Sequence, residues 1–347
     1  MSSTAKVGAT TQPQLITGGQ ATLMALDEAM AADPKVILFG EDVADREGGG
    51  VMGSTSGLST KYGDLRVRST PISEQAIVGA AVGAAIAGMR PVAEIMLMNF
   101  VTVAMDQIVN HAAKIRFMSG GKTSVPLTIR TMSGVGLGLG GQHSDMYEAW
   151  LAHVPGLKVV VPSTPADWKG LLTSCIFDDD PCIFIETTPL VFAKGPAPAA
   201  GHKVPLGQAN VVREGSDITL ISYGRPLLDA LKVAEKLATE GISAEVIDLR
   251  CIVPLDEATI FNSVAKTGRA VVIHEAVKAF GVGAEISSRI HERLFQELRA
   301  PVGRIGARYS PVPYSQPLEQ AYMWSEASIE AQVRETIESK ATRRVWA

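Results

Sequence analysis

Thr70-Pro71-Ile72-Ser73-Glu74 leads into Gln75-Ala-Ile-Val-Gly-Ala-Ala-Val-Gly-Ala-Ala-Ile-Ala-Gly-Met89, a stretch with no further charge until Arg90. A helix so small-sided and apolar is expected inside the protein, with other backbone packed closely on Gly79, Gly83 and Gly88. Glu74 then sits at the lip of a buried helix, where an ionised carboxylate is costly unless something answers it. It either caps its own helix or meets a group that this chain does not contain.

Outward from this helix, short β-branched runs alternate with longer helical patterns. Residues 36–39 read as a strand after a helix at 20–31. Residues 91–97 read as a strand, 99–118 as a helix and 125–131 as a strand. Strands at 157–161 and 182–185 flank a helix at 165–176 that Ser163 and Thr164 are placed to cap. Such alternation predicts an α/β fold with a largely parallel sheet and helices on both faces. Residues 189–205 mix Pro, Gly, Ala and Lys without a period, which predicts a crossing between domains. The rhythm then restarts, with strands at 217–223, 244–249 and 270–274. Helices are expected at 226–239 and 254–265, and from Gly281 and Gly283 to about residue 298, before a Pro-rich region ending near residue 317. The expected organisation is an extended or disordered N-terminus over 1–14, a first domain over 15–188, a linker over 189–206 and a second α/β domain over 207–338.

The totals narrow the class. The chain has 347 residues, 46% hydrophobic and 20% charged, enough for about two domains with cores of their own. A net charge of -4 argues against nucleic acid or anionic membrane as the main partner. No apolar run is long enough to span a bilayer, and the first fourteen residues carry neither a secretory signal nor a transit pattern. Cys175, Cys182 and Cys251 are odd in number and set in apolar runs, as expected of reduced thiols in a cytoplasmic protein. No Cys/His spacing suggests zinc.

Several candidate sites compete with plain structural roles. Gly136-Leu-Gly138-Leu-Gly140-Gly141 formally contains G-x-G-x-x-G. It lies deep in the first domain, however, and the next strand ends in Val161-Pro162-Ser163 with no acid for a ribose. The same loop delivers Gln142-His143-Ser144-Asp145. An imidazole at that place suits acid–base work, and a helix-capping segment with an incidental His143 explains it equally well. His274 ends a strand before Glu275 at an expected carboxyl-end crevice and is a minor candidate. His111, His153, His202 and His291 are weaker. Glu41 and Asp42 follow the strand at 36–39, where α/β sheets place ligands, yet they could equally cap a turn. Asp178-Asp179-Asp180 reads as a solvated turn more readily than as a cation site. No phosphate-binding device is present: neither G-x-x-x-x-G-K-[ST], nor a Gly-Asp-Gly with a following Asn pair for magnesium.

Taken together, a set of ordered motifs carries a resemblance. They are Gly40-Glu-Asp-Val43, Thr70-Pro-Ile-Ser-Glu74, Gly88-Met-Arg-Pro91, Asp106-Gln-Ile-Val-Asn110 with Ala112-Ala-Lys114, Gln142-His-Ser144 and His153-Val-Pro-Gly-Leu-Lys-Val-Val160. The second half adds Asp248-Leu-Arg250, Pro254-Leu-Asp256 and Val312-Pro-Tyr314. Over roughly residues 15 to 335 the chain resembles the beta subunit of the thiamine-diphosphate-dependent decarboxylating component of 2-oxoacid dehydrogenase complexes. Pyruvate, branched-chain 2-oxoacid and acetoin dehydrogenases belong to that family.

The resemblance implies a pyrimidine-binding domain followed by a transketolase C-terminal-like domain. It implies that Glu74 hydrogen-bonds the aminopyrimidine of thiamine diphosphate and exchanges the proton that leads to the ylide. Ile72, Met96 and Phe100 fall where the family contacts that ring. His143 matches the channel histidine to which the family gives a part in reductive acylation of the lipoyl group. A potassium ion is implied near Leu127, Cys175, Ile176, Asp178 and Asp180. The alpha subunit is implied to supply Mg2+ and diphosphate binding, in an alpha2beta2 heterotetramer that docks on a lipoyl acyltransferase core. Pyruvate, acetoin and a branched-chain 2-oxoacid stay open as substrates. Two rival readings are a stand-alone transketolase-type enzyme, which would need a diphosphate-binding domain in this chain, and a non-catalytic assembly subunit, which would be free to lose Glu74 and His143.

Overall fold

Residues 14–339 are described by a computed structural model; the expected extended N-terminus therefore lies, apart from Gln14, outside the described residues. The apolar runs of the first half form a seven-stranded sheet. Its order is Cys251–Val253, Lys158–Val160, Cys182–Thr187, Thr128–Ser133, Arg90–Leu97, Val36–Gly40 and Val67–Ser69. Neighbours pair in parallel except at the edge, where Cys251–Val253 runs antiparallel to Lys158–Val160. All six residues of Cys182–Thr187 are buried, as expected of a central strand covered on both faces. The second half forms a five-stranded sheet in the order Gly303–Ala307, Ala270–Val277, Ile218–Ser222, Ala244–Asp248 and Asn210–Arg213, antiparallel only at the last pair.

The two halves are stitched more closely than an unstructured crossing would allow. Lys194–Pro196, inside the aperiodic segment, pairs antiparallel with Leu15–Thr17. Cys251–Val253, from the second half, is an edge strand of the first sheet. The Pro-rich tail region also hides order: the strand Gly303–Ala307 and the helices Gln316–Tyr322 and Glu326–Glu338, the latter opened by a reciprocal Ser325/Ser328 capping box.

Two readings of the helices need correction. The segment 99–118 is not one helix. It breaks into Met98–Val101, a tight turn at Thr102–Ala104, a π-helical stretch at Gln107–Ala112 and Ile115–Met118. A wide π turn shifts the phase of every residue after it, so a single helical period cannot describe the segment. The helix Glu74–Ile86, opened by Ser73, is also not wholly inside. Ile77, Val78, Ala81, Val82 and Ala85 are buried, while Ile72, Ala76, Ala80, Gly83 and Ile86 lie exposed on the other side. A Cβ on Gly79 would sit 3.2 Å from the Gln107 side chain, but one on Gly83 would meet nothing. Gly88 answers a different need, a left-handed turn at φ +93° where the helix ends. The small-sided helix thus presents one apolar face that the described residues leave uncovered.

Candidate active site

The carboxyl ends of Val36–Gly40, Val67–Ser69, Arg90–Leu97 and Thr128–Ser133 lie side by side, so the segments leaving them fall on the one sheet edge where α/β folds place a ligand crevice. Glu41 follows the first strand, Thr70 to Glu74 the second, Met98–Val101 the third, and the glycine loop to His143 the fourth. The amide of Thr70 donates to the Gly40 carbonyl (2.9 Å), which fixes the approach to Glu74.

Glu74 is 9% exposed and forms no hydrogen bond or ion pair among the described residues. It does not cap its own helix by a side-chain bond, and Ser73 does not either. Glu41, half-buried opposite, is held above the usual carboxylate range by burial first and by the nearby charges of Glu74 and Asp42 second. Met96 and Phe100 are half-buried against the core beneath the crevice. The Phe100 ring meets the His143 imidazole edge-on, with centroids 5.5 Å apart. Nδ1 of His143 is buried with no partner. Ile72 is 83% exposed at the rim and is not folded into this group. Beside it, a cavity of about 310 Å3 on the outer side of the helix is lined by Phe39, Arg68, Thr70, Pro71, Ser73 and Ala76 among others.

The loop to His143 is secured from both halves of the molecule. Asn99 Nδ2 donates to Asp145 Oδ2 (2.9 Å) and to the Gly141 carbonyl (3.2 Å), and Tyr147 Oη donates to Asp145 Oδ2 (3.1 Å). Burial and Asp145 together push the Tyr147 phenol up to about 12. From the second half, Glu275 accepts from the Val135 amide and Glu319 from the Gly136 and Gly138 amides. The amides that a dinucleotide phosphate would need are therefore already engaged by carboxylates of this chain. Of these holding residues Asp145 stood within the candidate loop, while Asn99, Tyr147 and Glu319 left no mark in the sequence. Glu275, beside His274 at a strand end, carried a positional hint.

His274 itself is a core residue: burial drives it down to about 4, and Gly281 and Gly283 leave room for its ring. His111 faces Asp106 at 3.6 Å on the surface, and His291 Nδ1 meets the Ser287 carbonyl at 2.7 Å. Neither His153 nor His202 joins the crevice contacts described above.

The residues expected around potassium lie at or beside the turn after Pro165–Ile176, where cationic side chains of this chain engage several of them. The carboxylate of Asp178 accepts from Lys158 Nζ (2.6 Å), Asp180 pairs with Arg116 (2.5 Å), and Arg90 Nη1 donates to the Ile176 and Asp178 carbonyls (3.4 and 2.9 Å). The Leu127 carbonyl accepts from the Cys182 amide (2.8 Å) and that of Cys175 from the Asp178 amide (3.2 Å). Among the described residues no three His, Cys, Asp or Glu side chains are grouped to hold a metal ion. The three cysteines are free and buried in one apolar cluster.

Comparison with known proteins agrees with this architecture. Residues 15–193 match the transketolase pyrimidine binding domain and residues 207–329 the transketolase C-terminal domain. A solved split-gene transketolase, described as an inactive beta4 tetramer, superposes with a TM-score of 0.76 over 94% of this chain and 99% of that one. At 22% identity it speaks for the fold. The acetoin:2,6-dichlorophenolindophenol oxidoreductase subunit beta of Cupriavidus necator is 45% identical over 321 residues, covering 90% of this chain and 95% of that protein. The mitochondrial pyruvate dehydrogenase E1 component subunit beta-2 of Oryza sativa subsp. japonica is 47% identical over 300 residues, covering 85% and 79%. The chain belongs to the transketolase-type family of acetoin and pyruvate dehydrogenase E1 beta subunits.

Proposed function

We propose that this chain is the beta half of a thiamine-diphosphate-dependent 2-oxoacid or acetoin dehydrogenase. With an alpha subunit it would decarboxylate a 2-oxoacid such as pyruvate, or cleave acetoin, and reductively acylate a lipoyl group. The observation that carries this reading is Glu74, a nearly buried carboxylate at a parallel-sheet crevice with no hydrogen bond or ion pair within the described chain. Such a group is answered by a ligand.

The residues present fit the aminopyrimidine half of the cofactor, which supplies the carbanion chemistry when bound. Glu74 holds or releases a proton at a ring nitrogen. Met96 and Phe100 supply apolar contact beside it, and Ile72 lies at the rim where a second chain would close the site. The unpartnered Nδ1 of His143, beside Phe100, is placed to handle a proton during acyl transfer. Magnesium and diphosphate are assigned to the alpha subunit, in an alpha2beta2 assembly docked on a lipoyl acyltransferase core. The uncovered apolar face at Ile72, Ala76, Ala80, Gly83 and Ile86 supports a covering partner. Free buried cysteines support a reducing compartment, and we place the protein in the cytoplasm. The main-chain oxygens of Leu127, Cys175 and Ile176 with Asp178 and Asp180 are the group assigned to a hard cation such as potassium; the Leu127 and Ile176 carbonyls each have a lone pair left for it, while that of Cys175 already accepts from the Phe177 and Asp178 amides.

In the reconstituted alpha–beta complex, Glu74→Gln should lower turnover by at least about 100-fold while leaving assembly intact. Near-normal turnover would refute the cofactor assignment. The same complex, offered pyruvate, acetoin and branched 2-oxoacids with an artificial electron acceptor, identifies the substrate.

A further inference from the structure

The loop that brings His143 to the crevice is a run of left-handed glycines: Gly134, Gly136, Gly138 and Gly140 have φ of +119°, +114°, +66° and +74°. A segment of that kind has little conformational preference of its own. Asn99 of the first domain holds its far end at Gly141 and Asp145, and the glycine run itself is fixed from the second domain. Glu319, 3% exposed, accepts from the Gly136 amide at 2.6 Å and from the Gly138 amide at 3.2 Å. Glu275 accepts from the Val135 amide at 2.8 Å, and Arg225 Nη1 donates to the Val135 carbonyl at 2.7 Å. The Tyr314 ring lies where a Cβ on Gly140 would fall, so the loop's close fit depends on that glycine. Beyond the clamp, the His143 amide closes a turn onto the Gly140 carbonyl (3.2 Å), placing the imidazole beside Phe100.

Glu74 and the aminopyrimidine side of the crevice stand on other elements, the helix Glu74–Ile86 and the strand Arg90–Leu97. The clamp therefore bears on the His143 side of the site and leaves the Glu74 side alone. We infer that Glu319, from the C-terminal domain, is a positioning residue for acyl transfer: by binding the Gly136 and Gly138 amides it sets where His143 stands in the channel. This rests on the role given to His143 in the proposed function. Glu319 commits its oxygens to the Gly136 and Gly138 amides and acts through the loop.

The test uses the assembled alpha–beta complex and two assays: decarboxylation with an artificial acceptor, and acylation of a lipoyl domain. Glu319→Ala removes charge-assisted bonds that select one loop conformation, and should lower kcat for lipoyl acylation about 10- to 100-fold. Decarboxylation should change less than about threefold. Glu319→Gln, which keeps one acceptor oxygen, should recover most of the acylation. It also keeps the inference testable if the Ala variant fails to assemble. In a His143→Ala background Glu319→Ala should add no further loss, because both act through one imidazole. Amide exchange at Val135 to Gly138 should rise in Glu319→Ala. Equal loss in both assays, or losses that multiply with His143→Ala, would overturn the positioning role. His143→Ala alone distinguishes the two layers: if it spares acylation, the proposed role of His143 fails. If it impairs acylation and Glu319→Ala does not, only the present inference fails.

Discussion

Arg130 is the place to test what holds the crevice up. Its guanidinium is 2% exposed and lies between two carboxylates on neighbouring strands, Glu94 on Arg90–Leu97 and Glu186 on Cys182–Thr187. Nη1 donates to Glu94 at 2.7 Å, and Nε and Nη2 donate to Glu186 at 3.0 Å each. Glu186 has further support, since Thr22 Oγ1 donates to it at 2.9 Å and Trp168 Nε1 donates to Thr22 at 2.8 Å. Glu94 has no other hydrogen bond among the described residues. Arg130→Met keeps the aliphatic volume and strands two buried acids. Breaking a buried pair in this way costs about 3–5 kcal/mol, so the first domain should melt roughly 10 °C lower.

The cost depends on pH in a direction the structure fixes. Burial is the largest influence on Glu94 and raises its carboxyl, against the pull of Arg130. Without Arg130 it rises further. A raised acid holds its proton more tightly folded than unfolded, so stability falls as pH climbs from the unfolded value toward the folded one. The deficit of Arg130→Met should therefore grow between pH 5.5 and pH 8, and adding Glu94→Gln should recover part of it. Calorimetric melting of the assembled complex at both pH values makes the measurement. A deficit under about 1 kcal/mol at pH 8, or one that does not change with pH, would refute the account of this triad.

Glu148 gives a second pH test: burial holds its carboxyl at about 7, with only Oε1 satisfied, by Tyr223 Oη at 2.8 Å. Wild-type stability should decline from the ordinary carboxylate range up to pH 7 and flatten above, so Glu148→Gln should gain roughly 3 kcal/mol relative to wild type across that window in urea titrations. Exchanging sodium for potassium at constant ionic strength should raise the melting temperature by a few degrees if the 175–180 turn binds potassium, and identical melting curves would remove that assignment. On the open face of the Glu74 helix, Ala80→Asp should block association with co-expressed alpha, seen as loss of co-purification, while circular dichroism of the beta chain stays unchanged. Normal assembly would show that alpha covers another surface.

The sheet rhythm was legible because parallel strands buried on both faces are continuous apolar runs, as in Ile183, Phe184 and Ile185. Helix ends with local chemistry were legible too: Thr164 caps Pro165–Ile176 where its position suggested. What escaped had no local period. The π stretch at Gln107–Ala112 breaks helical phase, and the strand Gly303–Ala307 is only five residues with two glycines. In the site, Glu74 and His143 could be singled out because each sits at a visible change of pattern. Glu319 and Glu275 could not, because their partners are main-chain amides more than a hundred residues away, and an amide leaves no mark in a sequence. The exposure of Gly83 escaped for a related reason: composition says that a helix can be buried, and only packing says which face is.

Glu74 is set apart from the other low-exposure acids by having no hydrogen bond at either oxygen among the described residues. Buried acids elsewhere have at least one oxygen answered: Glu148 by Tyr223, Glu275 by the Val135 amide, and Asp248 by the Arg250 amide at 3.1 Å. Their other oxygens lack partners, and for all three burial pushes the carboxyl up to about 7, so each reaches neutrality by taking a proton. Glu74 differs, since neither of its oxygens has a partner among the described residues, and it stands near a second acid, Glu41. A structural role would have answered it from nearby main-chain amides, as Glu319 is answered by those of Gly136 and Gly138. The chain thus engages the amides of its own glycine loop and leaves the Glu74 carboxylate without a partner among the described residues. That pattern supports the proposed half-site, in which Glu74 would meet the cofactor's basic ring and another subunit would hold its phosphates.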